Sequence, residues 1–221
     1  MKIEKIKNRS ILFTRINPAE WNLNIQLIIG NKHNYIVDTG LGSLSIAPIL
    51  EYIKYMNQDN KPIIAINTHY HWDHIWGNSS LQNSTILAHK LCRDMIDSNW
   101  DDMMFHNKHY IEGEAVKYLP NMIFEEEIYY PEDKIRIMYT PGHTIDSISV
   151  LDEEDKVLNA GDNIGDTPDE IIPQIDCEKY EYINTLLKYK EMEFDTCISG
   201  HNVVLDKQVI DNILKLIKNI I

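Results

Sequence analysis

Cysteine is scarce: Cys92, Cys177 and Cys197 are the only three in 221 residues. The number is odd and none belongs to a CxxC pair, which argues against a disulfide framework and against a thiolate zinc site. Long apolar runs are missing too. No stretch approaches the length that spans a bilayer. The opening "MKIEKIKNRS" is charged, with no apolar run behind it to serve as a signal peptide. A reducing cytoplasm is the expected compartment. Basic charge is in deficit, 21 Lys and Arg against 34 Asp and Glu, for a net charge of -13. A nucleic-acid backbone or an anionic membrane surface would repel such a chain, so neither is expected as a partner. Repeats, low-complexity segments and linkers are absent. What remains is ordinary for a globular protein, 43% hydrophobic and 25% charged. One domain over residues 1–221 is the simplest expectation.

The patterning is mostly that of strands. Residues 22–29, "NLNIQLII", alternate polar and apolar, as a half-buried strand does. "YIVDTG" (35–40) reads as a short strand ending at Asp38 before a glycine turn. From Leu44 to Met56 the apolar residues follow helical spacing, with Pro48 admissible only in the first turn. "IIAIN" (63–67) is a continuous apolar run, as in a strand buried on both faces, and "STILA" (84–88) is another strand. Residues 89–119 predict a helical insertion or flap. Strands are expected over 134–140, 147–152 and 156–160, and a last one over 195–199. A helix capped by Asp176 runs to Lys190. Val209, Ile210, Ile213, Leu214, Ile217 and Ile220 form the apolar face of a closing helix. Two sheets covered outside by helices would fit this order.

One segment stands apart. "NTHYHWDHIWGN" (67–78) follows the apolar run directly and crowds His69, His71, Asp73 and His74 into six residues. In extended chain, residues two apart point the same way, so His69, His71 and Asp73 share a direction and His74 joins as the chain turns. Desolvated imidazoles and a carboxylate need partners, and a divalent metal serves them all at once. Imidazole and carboxylate suit zinc, iron or manganese, with zinc the default for a site without redox chemistry. A tetrahedral catalytic zinc takes three protein ligands, and the cluster offers four. That surplus means two metals, or one metal and a neighbouring base. Downstream, "PGHT" holds His143, "AGDN" holds Asp162 and "SGH" holds His201. Each lies just past an apolar strand, beside a glycine that permits a tight turn.

The set "THYHWDH", "PGHT", "GD" and "SGH", in this order, resembles the metallo-β-lactamase superfamily of metallohydrolases, and the likeness runs from Asp38 in "VDTG" to His201. The resemblance implies an α/β fold, a four-layer αββα sandwich with metals at one edge of the two sheets. It implies that His69, His71 and His143 hold one metal, that Asp73, His74 and His201 hold a second, and that Asp162 bridges them. Asp38 matches a position that steadies the ligands from behind. Two Zn2+ are the expected cofactor, with iron or manganese as alternatives. The expected chemistry is attack by a metal-bridging hydroxide on a carbonyl-type bond of a small molecule (ester, thioester, lactone or amide), with Asp73 handling the proton.

Departures narrow the subfamily. Asp162 stands where the β-lactamases with a cysteine in the second site carry that thiolate. The chain ends about twenty residues after His201, without the basic C-terminal helical region of glyoxalase II. Its acidity disfavours the ribonuclease Z relatives. A small glyoxalase II-like hydrolase is the expected class. The alternative is a mononuclear non-haem iron oxidoreductase of the persulfide dioxygenase kind. Of the other residues, His106 and His109 in "FHNKHY" are surface residues or pocket contacts. His33 and His89 are structural or surface residues, and Trp72 and Trp76 pack beneath the metal loop or, second, wall the substrate site. Tyr70 either points outward to meet substrate or does not, Cys197 is buried and inert, and Asp146 bonds a ligand histidine or caps a turn. The run "FEEEIYYPED" reads as a solvated strand edge.

Overall fold

β-branched and aromatic residues dominate the alternating segments, and they pair into two sheets. The structure, a computed structural model, describes residues 1–16, 21–165, 167 and 169–218, with only the backbone of Lys218. Among these residues the first sheet runs β1 (Lys2–Lys5), β2 (Ser10–Arg15), β3 (Leu23–Ile29), β4 (Asn34–Val37), β5 (Ile63–Ile66), β6 (Thr85–His89) and β7 (Met122–Phe124), side by side in chain order. Pairing is antiparallel from β1 to β4 and parallel from β4 to β7. The second sheet is built from β8 (Glu127–Tyr130), β9 (Ile135–Tyr139), β10 (Ile148–Asp152), β11 (Val157–Asn159), β12 (Thr196–Ile198) and β13 (Val204–Asp206). Its order is β13-β12-β11-β10-β9-β8, with only β11 and β12 parallel.

The helices are α1 (Ser43–Tyr55), the single turn α2 (Trp72–Ile75), α3 (Lys90–Asn107), α4 (Lys179–Glu191) and α5 (Gln208–Lys218). Three apolar layers separate four layers of secondary structure. Ile46, Ile49 and Ile53 of α1 pack on Phe13, Ile25 and Leu27. The sheets meet through Tyr35, Val37 and Ile66 on one side and Ile137, Ile148 and Val150 on the other. The opposite face of the second sheet, with Leu151, Leu158 and Cys197, meets Tyr182 and Leu186 of α4 and Ile210 and Ile213 of α5. Neighbours Val150 and Leu151 thus serve opposite layers, as the pleat of β10 requires. Each such side chain contributes about 1.5–3 kcal/mol by leaving water. The result is the αββα sandwich expected from the motif order. No helix among the described residues is long and apolar enough to cross a membrane.

Several local readings need correction. Pro48 lies in the second turn of α1, not the first. Strand β3 is buried on both faces, because Asn24 and Gln26 turn into the sandwich and bond the Ser199 carbonyl and the Ser10 hydroxyl. Helix α4 starts at Lys179 rather than Asp176. Strand β12 is followed by β13 and so is not the last. β1 and β2 had no counterpart in the pattern reading. Of the closing-helix residues, Ile220 lies outside the described residues.

Within 89–119, α3 lays Cys92, Ile96, Trp100 and Met103 on Ile75 and Trp76. The chain beyond it bolts onto α1. That helix has no side-chain cap, and the N–H groups of Ser43 and Leu44 donate instead to the carbonyls of Glu114 (2.9 Å) and Glu112 (3.1 Å). Arg15 fixes the same segment through Glu112 at 2.5 Å. The acidic run forms the edge strand β8, where Glu127 pairs with Arg136.

Candidate metal centre

Five chain segments deliver the polar groups to one edge of the sandwich. Asp38 follows β4. His69 and His71 follow β5, and Asp73 and His74 sit on α2. His143 lies between β9 and β10, Asp162 follows β11, and His201 follows β12. Three groups bring ligand atoms within 4.8 Å of one another: His69, His71 and His143; His69, His74 and Asp162; Asp73, His74 and His201. All seven sequence-predicted ligands are in these groups. His71 Nδ1 is 3.0 Å from His69 Nε2 and 3.1 Å from His143 Nε2. Asp162 Oδ2 lies 3.2 Å from His201 Nε2, 3.3 Å from His74, 3.7 Å from His69 and 3.8 Å from His143. It therefore sits between the two halves of the cluster. Asp73 Oδ2 is 3.4 Å from His201 Nε2 and 3.8 Å from His74 Nε2.

Four of the five rings are held from behind by Nδ1, which aims Nε2 inward. His69 Nδ1 meets the Thr68 hydroxyl at 3.1 Å and His74 Nδ1 meets Asp38 Oδ2 at 2.8 Å. His143 Nδ1 donates to the Gln174 carbonyl at 2.9 Å, and His201 Nδ1 to the Asn22 carbonyl at 3.0 Å. His71 is the exception and turns Nδ1 inward. Asp38 carries more than one load: its φ is 66°, and it also accepts from the Thr68 amide and hydroxyl. Glycine matters most at position 200, where a Cβ would overlap Asp162 Oδ1 and crowd His74 Cε1 at 2.9 Å. Asn163 accepts from the His143 amide at 2.8 Å and donates to Thr140 and Tyr189, so it fixes the loop that presents His143.

Burial and the neighbouring imidazole of His74 hold His69 well below its usual range. Burial and His143 lower His71 to about 4. Both are therefore neutral at pH 7 with lone pairs free for a cation. Burial also opposes charge on His74 and His201, but the carboxylates win. Asp162, Asp38 and Asp73 push His74 well up, and Asp162 and Asp73 raise His201 to about 9. Asp162 is held well down by His74 and His201 against the cost of its burial.

Two buried atoms are left over: His74 Nε2 and Asp162 Oδ1 make no hydrogen bond. Two imidazole nitrogens within 3.1 Å of the His71 Nδ1, two orphaned atoms and a shared carboxylate are costly without a cation. Five imidazoles and two carboxylates in three overlapping groups fit two divalent ions.

A cavity of about 460 Å3 opens on the centre, touching His143, Asp162 and His201. Gly165, residues 169–174 and Leu216 of α5 form its other walls. On the far side stands an aromatic group. Trp72 stacks on Tyr110 at 5.1 Å, and Trp21 meets both Trp72 and His201 edge-on. Trp76 is fully buried beneath, and Tyr70 lies against His71 at 4.6 Å. His106 is exposed beside Asp102, and neither it nor His109 lines the cavity. His33 bonds Asp133, and His89 caps α3 and stacks on Tyr139. Asn22, Thr68, Asn163, Gln174 and Trp21 went unnoticed in the sequence. Asn163 beside "GD" carried the only local signal, and two of the others act through backbone carbonyls.

Comparison with known proteins agrees with this fold. The family model described as Metallo-beta-lactamase superfamily matches residues 20–201. A Beta-lactamase-like protein 2 homolog of Caenorhabditis elegans is 25% identical over 220 residues, covering 94% of this chain and 67% of that protein. An Acyl-coenzyme A thioesterase MBLAC2 of Gallus gallus is 22% identical over 160 residues, covering 65% of this chain. This chain spans only 58% of that relative's length. A metallo-beta-lactamase from Pontibacter korlensis superposes with a TM-score of 0.77 over 99% of both chains, at 16% identity. With 182 consecutive residues under one family model (20 to 201), the chain belongs to the metallo-beta-lactamase superfamily.

Proposed function

We propose that this protein is a dinuclear metal-dependent hydrolase of small-molecule carbonyl compounds, thioesters and esters first. The observation that carries the reading is the position of Asp162 Oδ2, within 3.8 Å of four imidazoles drawn from both halves of the cluster. In this reading His69, His71 and His143 would hold one cation and Asp73, His74 and His201 the other, with Asp162 shared between them. Zinc is the cation that this nitrogen and oxygen donor set suits best. A pair of divalent ions bound there supplies a water-derived nucleophile at neutral pH and polarises the carbonyl. The chain's own side chains do the rest. The four Nδ1 contacts keep the rings from turning. Asp73 presents Oδ2 to His74 and His201, and its Oδ1 accepts the proton from the attacking water and returns it to the departing sulfur or oxygen. The cavity beside His143 and His201 takes the acyl group. Thioesters rank first because a relative is named a thioesterase.

The test pairs elemental analysis of the purified protein with a hydrolysis screen of thioesters, esters, lactones, β-lactams and phosphodiesters. About two zinc per chain and hydrolysis of a carbonyl substrate are expected, with Asp73→Ala losing at least ~100-fold in kcat while the fold persists. One iron with oxygen uptake on thiol substrates, or full activity in Asp73→Ala, would overturn it.

A further inference from the structure

The cavity beside the centre has a charge character of its own. Ile171, Ile172, Pro173 and Leu216 give it an apolar wall. Asp169 and Glu170 stand on the same rim, both exposed, and neither is in an ion pair among the described residues. No described lysine or arginine lines the cavity. The inner end is Asp162 with His143 and His201, so the cavity leads to the cluster of candidate metal ligands. The rim also belongs to the machinery. It lies on the segment whose Gln174 carbonyl orients His143 and whose Asp176 amide donates to the His143 carbonyl.

We propose that this cavity selects small, phosphate-free thioesters and esters with an apolar acyl group and a neutral or cationic leaving group, and disfavours polyanionic carriers such as coenzyme A. The inference rests on the hydrolase reading above and goes beyond it. The physical argument is simple. A carrier with several phosphates needs cations at the mouth of the site, and this mouth offers two unpaired carboxylates within a chain of net charge -13. Like charges at such a rim lower the local substrate concentration, and salt relieves the effect. A cationic end meets the same two carboxylates favourably. The apolar wall serves the acyl chain, and a volume of about 460 Å3 matches a small ligand rather than a nucleotide-bearing carrier with its acyl group.

Three thioesters of one acyl group make the test: butyrylthiocholine, S-butyryl-N-acetylcysteamine and butyryl-coenzyme A, with thiol release followed on the metal-loaded protein. We expect kcat/KM to fall in that order, by about tenfold or more from first to last at low salt, mainly through KM. High salt should compress the range. The double variant Asp169→Asn, Glu170→Gln should compress it too, while Asp169→Lys, Glu170→Lys should reverse it. A preference for butyryl-coenzyme A, or an order unmoved by salt and by both variants, would overturn the proposal. Binding of choline and of free coenzyme A, read from tryptophan fluorescence, measures the same preference without turnover. If none of the three thioesters is cleaved, the thioester ranking above fails and the hydrolase reading goes to the wider screen; the binding order still decides the charge selectivity, and equal affinity for the two ligands sinks it.

Discussion

Asp38 Oδ2 accepts a hydrogen bond from His74 Nδ1 at 2.8 Å, and both residues are buried. The two lie on different elements, at the end of β4 and on α2. This contact turns His74 Nε2 toward Asp162 and Asp73. Asp38→Asn keeps a side chain that tolerates its left-handed backbone but removes the anionic acceptor. We expect this variant to bind the second cation about 10–100-fold more weakly, read by competition with a chelator, with little change in Tm. Asp38→Ala should lower Tm as well, because of the strain at a φ of 66° and the bonds lost to Thr68.

Gly200 makes the narrowest backbone approach to the centre. Its added methyl in Gly200→Ala overlaps Asp162 Oδ1 and presses on His74. Asp162 must then move away from the imidazoles it joins. Metal retention after dialysis should drop by about 10–100-fold, while far-ultraviolet circular dichroism stays unchanged. Full metal content in Gly200→Ala would refute the role given to this close approach.

Asp146 is fully buried, and neither carboxylate oxygen makes a hydrogen bond of good geometry. Burial raises it to about 6, against the pull of Thr144, Cys92 and the amides of Asp146 and Tyr70 that face it. Its ordinary value is 3.8, so between about pH 4 and 6 the folded chain binds the extra proton. Its contribution is most favourable below that window and is lost as pH rises through about 6. The rise amounts to ~3 kcal/mol at most. Asp146→Asn removes the charged form. Denaturant unfolding should find the variant more stable at pH 8 by ~1–3 kcal/mol, with the gap closing toward pH 4.

Arg9 ties the two sheets together far from the metal centre. Its Nε and Nη2 grip Asp152 at 2.9 and 2.5 Å, and Nη2 also donates to the Asp133 carbonyl at 2.6 Å. Asp152 is fully buried. Arg9→Met leaves that carboxylate unpaired and should cost about 3–5 kcal/mol in unfolding free energy. Adding Asp152→Leu should recover only part of the loss: the apolar pair needs no counter-charge, but the amides of Glu154 and Asp155 lose the acceptor that Asp152 Oδ1 gives them.

Much of the centre was legible from the chain. The run from His69 to His74 is local, and the alternation of extended chain alone aligns His69, His71 and Asp73. His143, Asp162 and His201 each follow an apolar strand beside a glycine, which marks a chain leaving a sheet. The strands with simple environments were legible for the same reason, as β5 and β6 show. Reading failed where tertiary context reversed a local signal. Asn24 and Gln26 looked like the wet face of β3, yet they bond Ser199 and Ser10 inside the sandwich. Pro48 sits one turn deeper in α1 than its missing N–H suggests, because the helix is held by isoleucines packed on the sheet.

By itself, then, the order of residues determined the donor set, the strand ends that carry it and the acidity of the whole surface, since all three are properties of neighbours along the chain. Only the tertiary structure decided which way each ring faces and what lines the cavity. The carbonyls of Asn22 and Gln174, which orient His201 and His143, are 179 and 31 residues away from the rings they hold. A backbone carbonyl is the same in every residue, so no side-chain pattern can announce that it will meet an imidazole; packing alone brings the two together.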